Sequence, residues 1–251
     1  MSTLKQKIKR FGSYLKNLLF PKHIKCVFCG NELATDFYND TCKECLNNLP
    51  FIKNYCDRCG LPVKVGTIGV CQTCKTTNYN FNFARSVFEY KDKVVKVIRK
   101  LKYHNGKYLI EPISNYMKEL YLTKNLFADI VTNIPMHIKR FKARGFNQSK
   151  LLAEDFAKKV NLPCLELCSC CLNKPSQTSL SFAERKENVK DSFAFNEEYK
   201  EQIKDKVILI IDDVITTGAT TSELARVLIE NGAKACHVLT FAHSIIETTS
   251  N

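Results

Sequence analysis

Val207-Ile208-Leu209-Ile210-Ile211-Asp212-Asp213-Val214-Ile215-Thr216-Thr217-Gly218-Ala219-Thr220 is the stretch on which the fold turns. The aliphatic run Val207 to Ile211, rich in β-branched residues, reads as a strand buried on both faces, the pattern of a parallel sheet. Asp212 and Asp213 stand where that strand is expected to end, and a loop of small residues follows. Leu224, Val227 and Leu228 then share one helical face, and Gly232 is the expected stop. In an open parallel sheet, ligands bind beyond the carboxyl ends of the strands, and the free N–H groups of a helix start favour phosphate. The hydroxyls of Thr216, Thr217 and Thr220 add donors. Carboxylates repel phosphate but accept hydrogen bonds from sugar hydroxyls. Diacid and loop together fit one ligand carrying both groups, a ribose 5-phosphate.

The chain around this unit has 251 residues, 45% of them hydrophobic, which suits one α/β domain and a smaller module. No segment approaches the ~20 apolar residues that span a bilayer, so stable membrane insertion is not expected. Lys5, Lys7, Lys9, Arg10 and Lys16 interrupt the first residues, which leaves no apolar core for a secretory signal. A cytoplasmic location is therefore expected, and the 13 cysteines point to metal or free thiols rather than to a disulfide framework. The net charge of +13 is unevenly spread: residues 81–145 carry 14 Lys and Arg against 5 Asp and Glu, whereas residues 146–251 carry 12 against 15.

Eight of the cysteines form four C-x-x-C pairs: Cys26 with Cys29, Cys42 with Cys45, Cys56 with Cys59, and Cys71 with Cys74. They supply two tetrahedral sets of thiolates, and thiolate sulfur suits zinc. The first and third pairs end in Cys-Gly and the other two do not, so the pattern repeats once. That repeat favours sequential sets, Cys26, Cys29, Cys42 and Cys45 on one ion and Cys56, Cys59, Cys71 and Cys74 on the other; an interleaved arrangement stays open. Two uses stand for the module: metal that folds a segment too short for its own core, or a nucleic-acid surface built from Phe28, Phe51, Tyr55, Tyr79 and Phe81 with neighbouring lysines. Cys164, Cys168, Cys170 and Cys171 lack a second C-x-x-C pair and read as small residues on and near a strand.

Residues 1–21 form an amphipathic pattern, with Leu4, Ile8, Phe11, Leu15, Leu18 and Leu19 on one face and Pro21 as the stop. A docked helix and a helix lying on a membrane surface both fit. Further on, Phe83 to Tyr90 reads as a strand and Val94, Ile98 and Leu101 as one face of a helix whose other positions are cationic, leading to a turn that presents Lys102. Residues 108–122 continue as helix, and Ala128 to Pro135 read as a second strand with a loop at its end. Lys139, Arg140, Lys142 and Arg144 cluster beyond it, followed by Asn147 and by a helix with Leu151, Leu152, Phe156 and Val160 on one face. Arg144 offers the bidentate geometry that pyrophosphate requires. The polar stretch from Lys174 to Phe195 reads as a lid or as a surface loop, and Ala235 to Phe241 as the last strand.

The opening stretch resembles the phosphoribosyl-pyrophosphate (PRPP) motif of type I phosphoribosyltransferases. With the cysteine pairs, Lys100-Leu101-Lys102-Tyr103-His104, Arg144-Gly145-Phe146-Asn147-Gln148, and Gln177 with Arg185 and Asn188, the chain resembles the ComF family (ComFC type) of competence-associated phosphoribosyltransferase-like proteins. The resemblance implies an α/β fold, a type I phosphoribosyltransferase-like parallel sheet with a small N-terminal zinc-ribbon module. The expected divisions are an N-terminal helix over 1–21, a double zinc ribbon over 22–78 and a phosphoribosyltransferase-like domain over 79–251. It further implies two structural zinc ions, Mg²⁺ bound with PRPP, and a role in handling single-stranded DNA during natural transformation, alongside proteins of the competence machinery. Asp212 and Asp213 would hold the ribose hydroxyls and serve catalysis. Val214, Ile215, Thr216, Thr217, Gly218 and Thr220 would complete the PRPP site, and Lys102, Arg144, Asn147 and Arg185 would neutralise pyrophosphate. One departure is that Thr132-Asn133-Ile134-Pro135 carries Asn where such families place an earlier proline. An enzyme of unidentified acceptor, a non-catalytic PRPP sensor or nucleic-acid binder on the same scaffold, and an assembly partner docking through its zinc module are the functional classes this leaves.

Overall fold

The computed structural model describes residues 24–103, 106–171 and 189–245. The expected N-terminal helix, His104, Gln177, Arg185 and Asn188 lie outside the described residues. The chain divides into two compact units, 1–48 and 49–251, so that the boundary falls between the second and third cysteine pairs.

In the first unit, strands β1 (Phe37–Tyr38) and β2 (Thr41–Cys42) form a short antiparallel hairpin. Asn39 and Asp40 make its turn with φ of 48° and 54°, a conformation that Asn and Asp tolerate better than other side chains. Helix α1 (Lys43–Asn48) follows directly, with Cys45 buried.

The second unit opens with the other two cysteine pairs and helix α2 (Gln72–Thr76), then enters the sheet through β3 (Phe83–Glu89). Helix α3 (Asp92–Tyr103), a 3-10 turn over Gly106–Leu109 and helix α4 (Ile110–Thr123) lead to β4 (Ile130–Asn133). Helices α5 (Ile138–Arg144) and α6 (Gln148–Val160) come next, and then β5 (Cys168–Cys170) and β6 (Phe193–Phe195), which pair antiparallel. A short helix α7 (Lys200–Ile203), strand β7 (Val207–Ile215), helix α8 (Ala219–Glu230) and strand β8 (Ala235–His243) complete it.

The main sheet has the order β3-β8-β7-β4, and every pairing in it is parallel. Ile208 to Ile211 are fully buried at its centre, as a strand covered on both faces requires. Ile208 and Ile210 point into one apolar cluster with Leu224, Leu228, Tyr79, Phe81 and the thiols of Cys56, Cys59 and Cys71. Another aromatic group packs edge to face, with Phe88 ring centroids 5.2 Å from Tyr116 and 5.0 Å from Phe241. This is the parallel α/β sheet that the sequence led us to expect.

One boundary differs. β7 runs through Ile215 rather than ending at Ile211. Its edge-side neighbour β4 stops where Asn133 faces Ile211, but β8 keeps pairing until His243 faces Ile215. Asp212 and Asp213 therefore stand inside a strand supported on one side only, and the ragged end of β4 leaves the space beside them. A second difference is α5: the cationic run after the β4 loop is helical, capped by His137 Nδ1 accepting from Lys139 N at 3.2 Å and ended by Gly145 at φ 82°.

Candidate functional site

Asp213 is 2% exposed and Asp212 half-buried, and successive strand residues point to opposite sides of the sheet. Each carboxylate meets the first turn of α6. Ser149 Oγ donates to Asp212 Oδ1 at 2.5 Å, and Gln148 Nε2 donates to Asp213 Oδ1 at 3.2 Å. Lys102, at the end of α3, places Nζ 2.7 Å from Asp213 Oδ2. Asp213 N also donates to Asp212 Oδ1 at 2.8 Å, which ties the two acids together through the backbone. Burial and the adjacent charge of Asp213 push the Asp212 carboxyl up to about 7, against the pull of Ser149 and Lys102. Burial disfavours the Lys102 ammonium, but Asp213 outweighs it and holds the group above its ordinary value.

The start of α6 is positioned by Asn147. Its side-chain oxygen accepts from Ser149 N at 3.0 Å and Lys150 N at 3.4 Å, and its amide donates to Ile134 O at 3.0 Å. The side chain is buried, joins the β4 loop to the α6 cap and sets the height at which Ser149 and Gln148 meet the diacid. Arg144 Nη1 donates to Gln148 Oε1 at 2.5 Å, and its guanidinium lies 5.3 Å from the Tyr103 ring centre. Thus Lys102, Arg144 and Asn147 converge on the diacid through direct or one-step contacts, while Arg185 falls outside the described residues. Ser149 was not singled out from the sequence; its only signal was its place two residues after an N-cap Asn.

Beyond Ile215 the chain turns through exposed Thr216, buried Thr217 and Gly218 at φ 74° into α8. Val214 and Ile215 face Ala242 and His243 in the ladder. Thr217 Oγ1 accepts from Ala219 N at 3.3 Å, and Thr221 Oγ1 donates to Gly218 O at 3.0 Å. A strap holds this turn: Tyr79 OH donates to Thr217 O at 3.0 Å, and Asn80 donates to Ser222 through N at 3.0 Å to Oγ and through Nδ2 at 3.1 Å to O. A Cβ on Gly218 would stand 3.0 Å from the Tyr79 ring, so glycine serves both the positive φ and the close approach. Tyr79 stacks on Phe81 at 4.8 Å, and its carbonyl accepts from Arg58 Nη2, inside the second cysteine knuckle, at 2.7 Å. This turn therefore rests on residues that the metal knuckle orders, a link invisible in the sequence because 138 positions separate Tyr79 from Thr217.

The cysteines gather in the sequential sets: Cys26, Cys29, Cys42 and Cys45, and Cys56, Cys59, Cys71 and Cys74, the sulfurs of each set within 4.8 Å of one another. Sulfur pairs lie 3.8 Å apart for Cys29 and Cys42, 3.6 Å for Cys56 and Cys74, and 3.7 Å for Cys59 and Cys71. A tetrahedral zinc ion with Zn–S of about 2.3 Å has S···S edges of about 3.8 Å, so both sets fit the ion. Burial raises the Cys56 thiol, but the N–H groups of Cys71, Cys59 and Arg58 outweigh it and bring it down to about 7. Burial pushes Cys74 up to about 12 and Cys59 above its ordinary value, so a bound cation must displace their protons. Among the described residues no helix is long and apolar enough to cross a membrane.

Residues 15–75 match the family model described as a double zinc ribbon domain. Over 223 residues the chain is 27% identical to the DNA utilization protein YhgH of Escherichia coli (strain K12), an alignment covering 85% of this chain and 94% of that protein. It is 26% identical over 237 residues to the competence protein ComFC of Bacillus subtilis (strain 168), covering 86% and 92%. These similarities bear out the resemblance to the ComF family. Among solved structures, the glutamine PRPP amidotransferase from B. subtilis aligns at 20% identity with 56% of this chain and 30% of that one, with a TM-score of 0.38. A superposition that loose carries no weight, and the fold stands on the sheet order and on the strand, diacid and threonine loop.

Proposed function

We propose that the chain binds PRPP with Mg²⁺ at Asp212–Thr220 and acts in DNA uptake during natural transformation through the handling of single-stranded DNA. The observation that carries this reading is the pairing of two carboxylates with a threonine-rich helix start on one strand, loop and helix unit. Asp212 and Asp213 accept hydrogen bonds from the ribose 2- and 3-hydroxyls. The amides around Thr216, Thr217 and Gly218, with the threonine hydroxyls, hold the 5-phosphate at the positive end of α8. Lys102 and Arg144 stand on the pyrophosphate side, and Arg185 is a further candidate. Mg²⁺, when bound with PRPP, neutralises pyrophosphate charge, and the oxygen-only donors of the diacid suit such a hard cation approached through its waters.

In transfer chemistry the bond from ribose C1 to pyrophosphate breaks, positive charge develops on the ring, and an acceptor base takes the ribosyl group. The fixed carboxylates stabilise that charge, and the fixed phosphate orients the ring. The two relatives, a DNA utilization protein and a competence protein, support the DNA side of the reading.

Calorimetric titration with PRPP and MgCl₂ tests it. Wild-type protein is expected to bind, and Asp212→Asn/Asp213→Asn to lose binding. No heat with the wild type sinks the reading. Binding with no pyrophosphate released across candidate bases reduces it to a non-catalytic PRPP sensor.

A further inference from the structure

A cavity of about 590 Å³ opens between the end of α3, the 3-10 turn and α5, and among the described residues its lining contains Lys102, Lys107, Arg140 and Arg144 but no Asp or Glu. Two of these cations are held by aromatic rings rather than by counter-charges: Arg144 over Tyr103 at 5.3 Å and Lys107 over Phe146 at 5.2 Å. The positive surface runs on past the cavity. Lys96, Arg99 and Lys100 are exposed along α3, and Lys139 and Lys142 along α5. Among the described residues no carboxylate pairs with these five, whereas Arg226 alone is bound by Asp191, Glu223 and Glu230.

The extent of the surface selects the ligand. Along α3 the cations from Lys96 to Lys102 cover about 9 Å, and with Lys107, Arg140 and Arg144 around the cavity they exceed what one phosphate or pyrophosphate needs. Tyr103 is 71% exposed and Tyr108 63%, so two aromatic faces stand among the cations. Spaced cations with open aromatic rings suit a flexible chain of phosphates and unpaired bases.

We propose that this surface is where single-stranded nucleic acid docks, and that Lys102 couples its occupancy to the ribose-phosphate site. The proposal rests on the PRPP and single-strand reading above and adds to it the surface and the link. Lys102 lines the cavity and also closes over buried Asp213, 2.7 Å from its carboxylate. A diol reaches Asp213 only when that ammonium gives way. A strand phosphate in the cavity offers the ammonium another anion and draws it off Asp213. Linkage is reciprocal, so strand and sugar phosphate each bind more tightly when the other is present.

The test is fluorescence anisotropy of a labelled oligothymidylate of about 20 nucleotides on the full chain, with and without ribose 5-phosphate. Wild-type affinity is expected to fall steeply with salt, and Lys107→Ala/Arg140→Ala and Lys100→Ala/Lys142→Ala each to weaken it about tenfold. Ribose 5-phosphate is expected to tighten the oligonucleotide several-fold in the wild type and not in Lys102→Met. Circular dichroism of the exposed double variants and of half-buried Lys102→Met checks that the fold is intact. Unchanged affinity in both double variants overturns the surface. Weakening by the cavity pair alone, with full displacement by equimolar inorganic pyrophosphate, reassigns the cavity to a small anion and overturns it too. Ribose 5-phosphate that binds by calorimetry yet leaves oligonucleotide affinity unchanged overturns the coupling. If ribose 5-phosphate fails to bind while PRPP binds, the coupling falls and the PRPP reading stands; if neither binds, both fall, and the double variants still decide the surface.

Discussion

Residues 26–45 and 56–74 repeat one pattern, two C-x-x-C pairs with glycine after the first, and the two copies close around sulfurs at nearly the same spacing. Their settings differ. The first lies in a unit whose described regular structure is a hairpin of two-residue strands and one six-residue helix, so the described residues bury little apolar surface of their own. The second puts Cys56, Cys59 and Cys71 into the apolar cluster that holds Ile208 and Leu224, and through Arg58 and Tyr79 it reaches Thr217 of the phosphate-type loop. One metal motif thus serves two ends: in one copy it staples a small unit, and in the other it packs behind the proposed ribose-phosphate site.

The largest test removes each metal in turn. Cys26→Ser/Cys29→Ser and Cys56→Ser/Cys59→Ser are each expected to lower zinc content from two ions per chain to one. Structural zinc contributes on the order of 10 kcal/mol, comparable to the whole stability of an ordinary domain. The second variant is therefore expected to lose the cooperative melt of the α/β core and ribose 5-phosphate binding, while the first keeps both. Equal loss in the two variants breaks the comparison.

A smaller test uses the matched glycines. Gly30 at φ 81° has nothing within 4 Å of an added Cβ, whereas at Gly60, φ 73°, that atom would lie 2.5 Å from Ala84 O. Gly30→Ala is expected to cost about 1–2 kcal/mol, the left-handed strain alone. Gly60→Ala, which must also shift β3, is expected to cost about 3 kcal/mol or more by urea denaturation. Smaller again is Tyr79→Phe, which removes the bond to Thr217 O. It should weaken ribose 5-phosphate about fivefold, or about 1 kcal/mol, with zinc content unchanged.

A pH slope belongs to the site and to neither knuckle. The Asp212 carboxyl stands at about 7 in the fold, above its ordinary 3.8, so the native state holds this proton more tightly than the unfolded chain does. Its contribution to stability is complete below about pH 4 and is lost as pH rises towards and through about 7. Asp212→Asn removes that loss, so variant minus wild-type stability, from urea melts across this range, should grow with pH. The Cys26→Ser/Cys29→Ser background should show the same growth.

The legible parts of the molecule were those carried by local pattern. The aliphatic run 207–211 gave the central strand, the 224–228 spacing gave α8, and the glycine repeat gave the pairing of cysteines that the structure contains. The β7 extension was not legible, because its last residues are held by the length of β8 rather than by their own hydrophobicity. Helix α5 escaped because Ile138 and Phe141, its apolar pair, are both exposed, leaving no buried face to reveal a period. Ser149, and the Tyr79 strap, act through contacts 63 and 138 positions away, which no spacing rule reaches.

Hydrogen exchange on the full chain with and without ribose 5-phosphate tests sugar-phosphate binding at Asp212–Thr220, since it reads the loop rather than a downstream activity. New protection is expected at the amides of Thr216 to Thr220, and its loss in Asp212→Asn/Asp213→Asn. Unchanged exchange across that loop at saturating ribose 5-phosphate, or protection confined to another part of the chain, would contradict it.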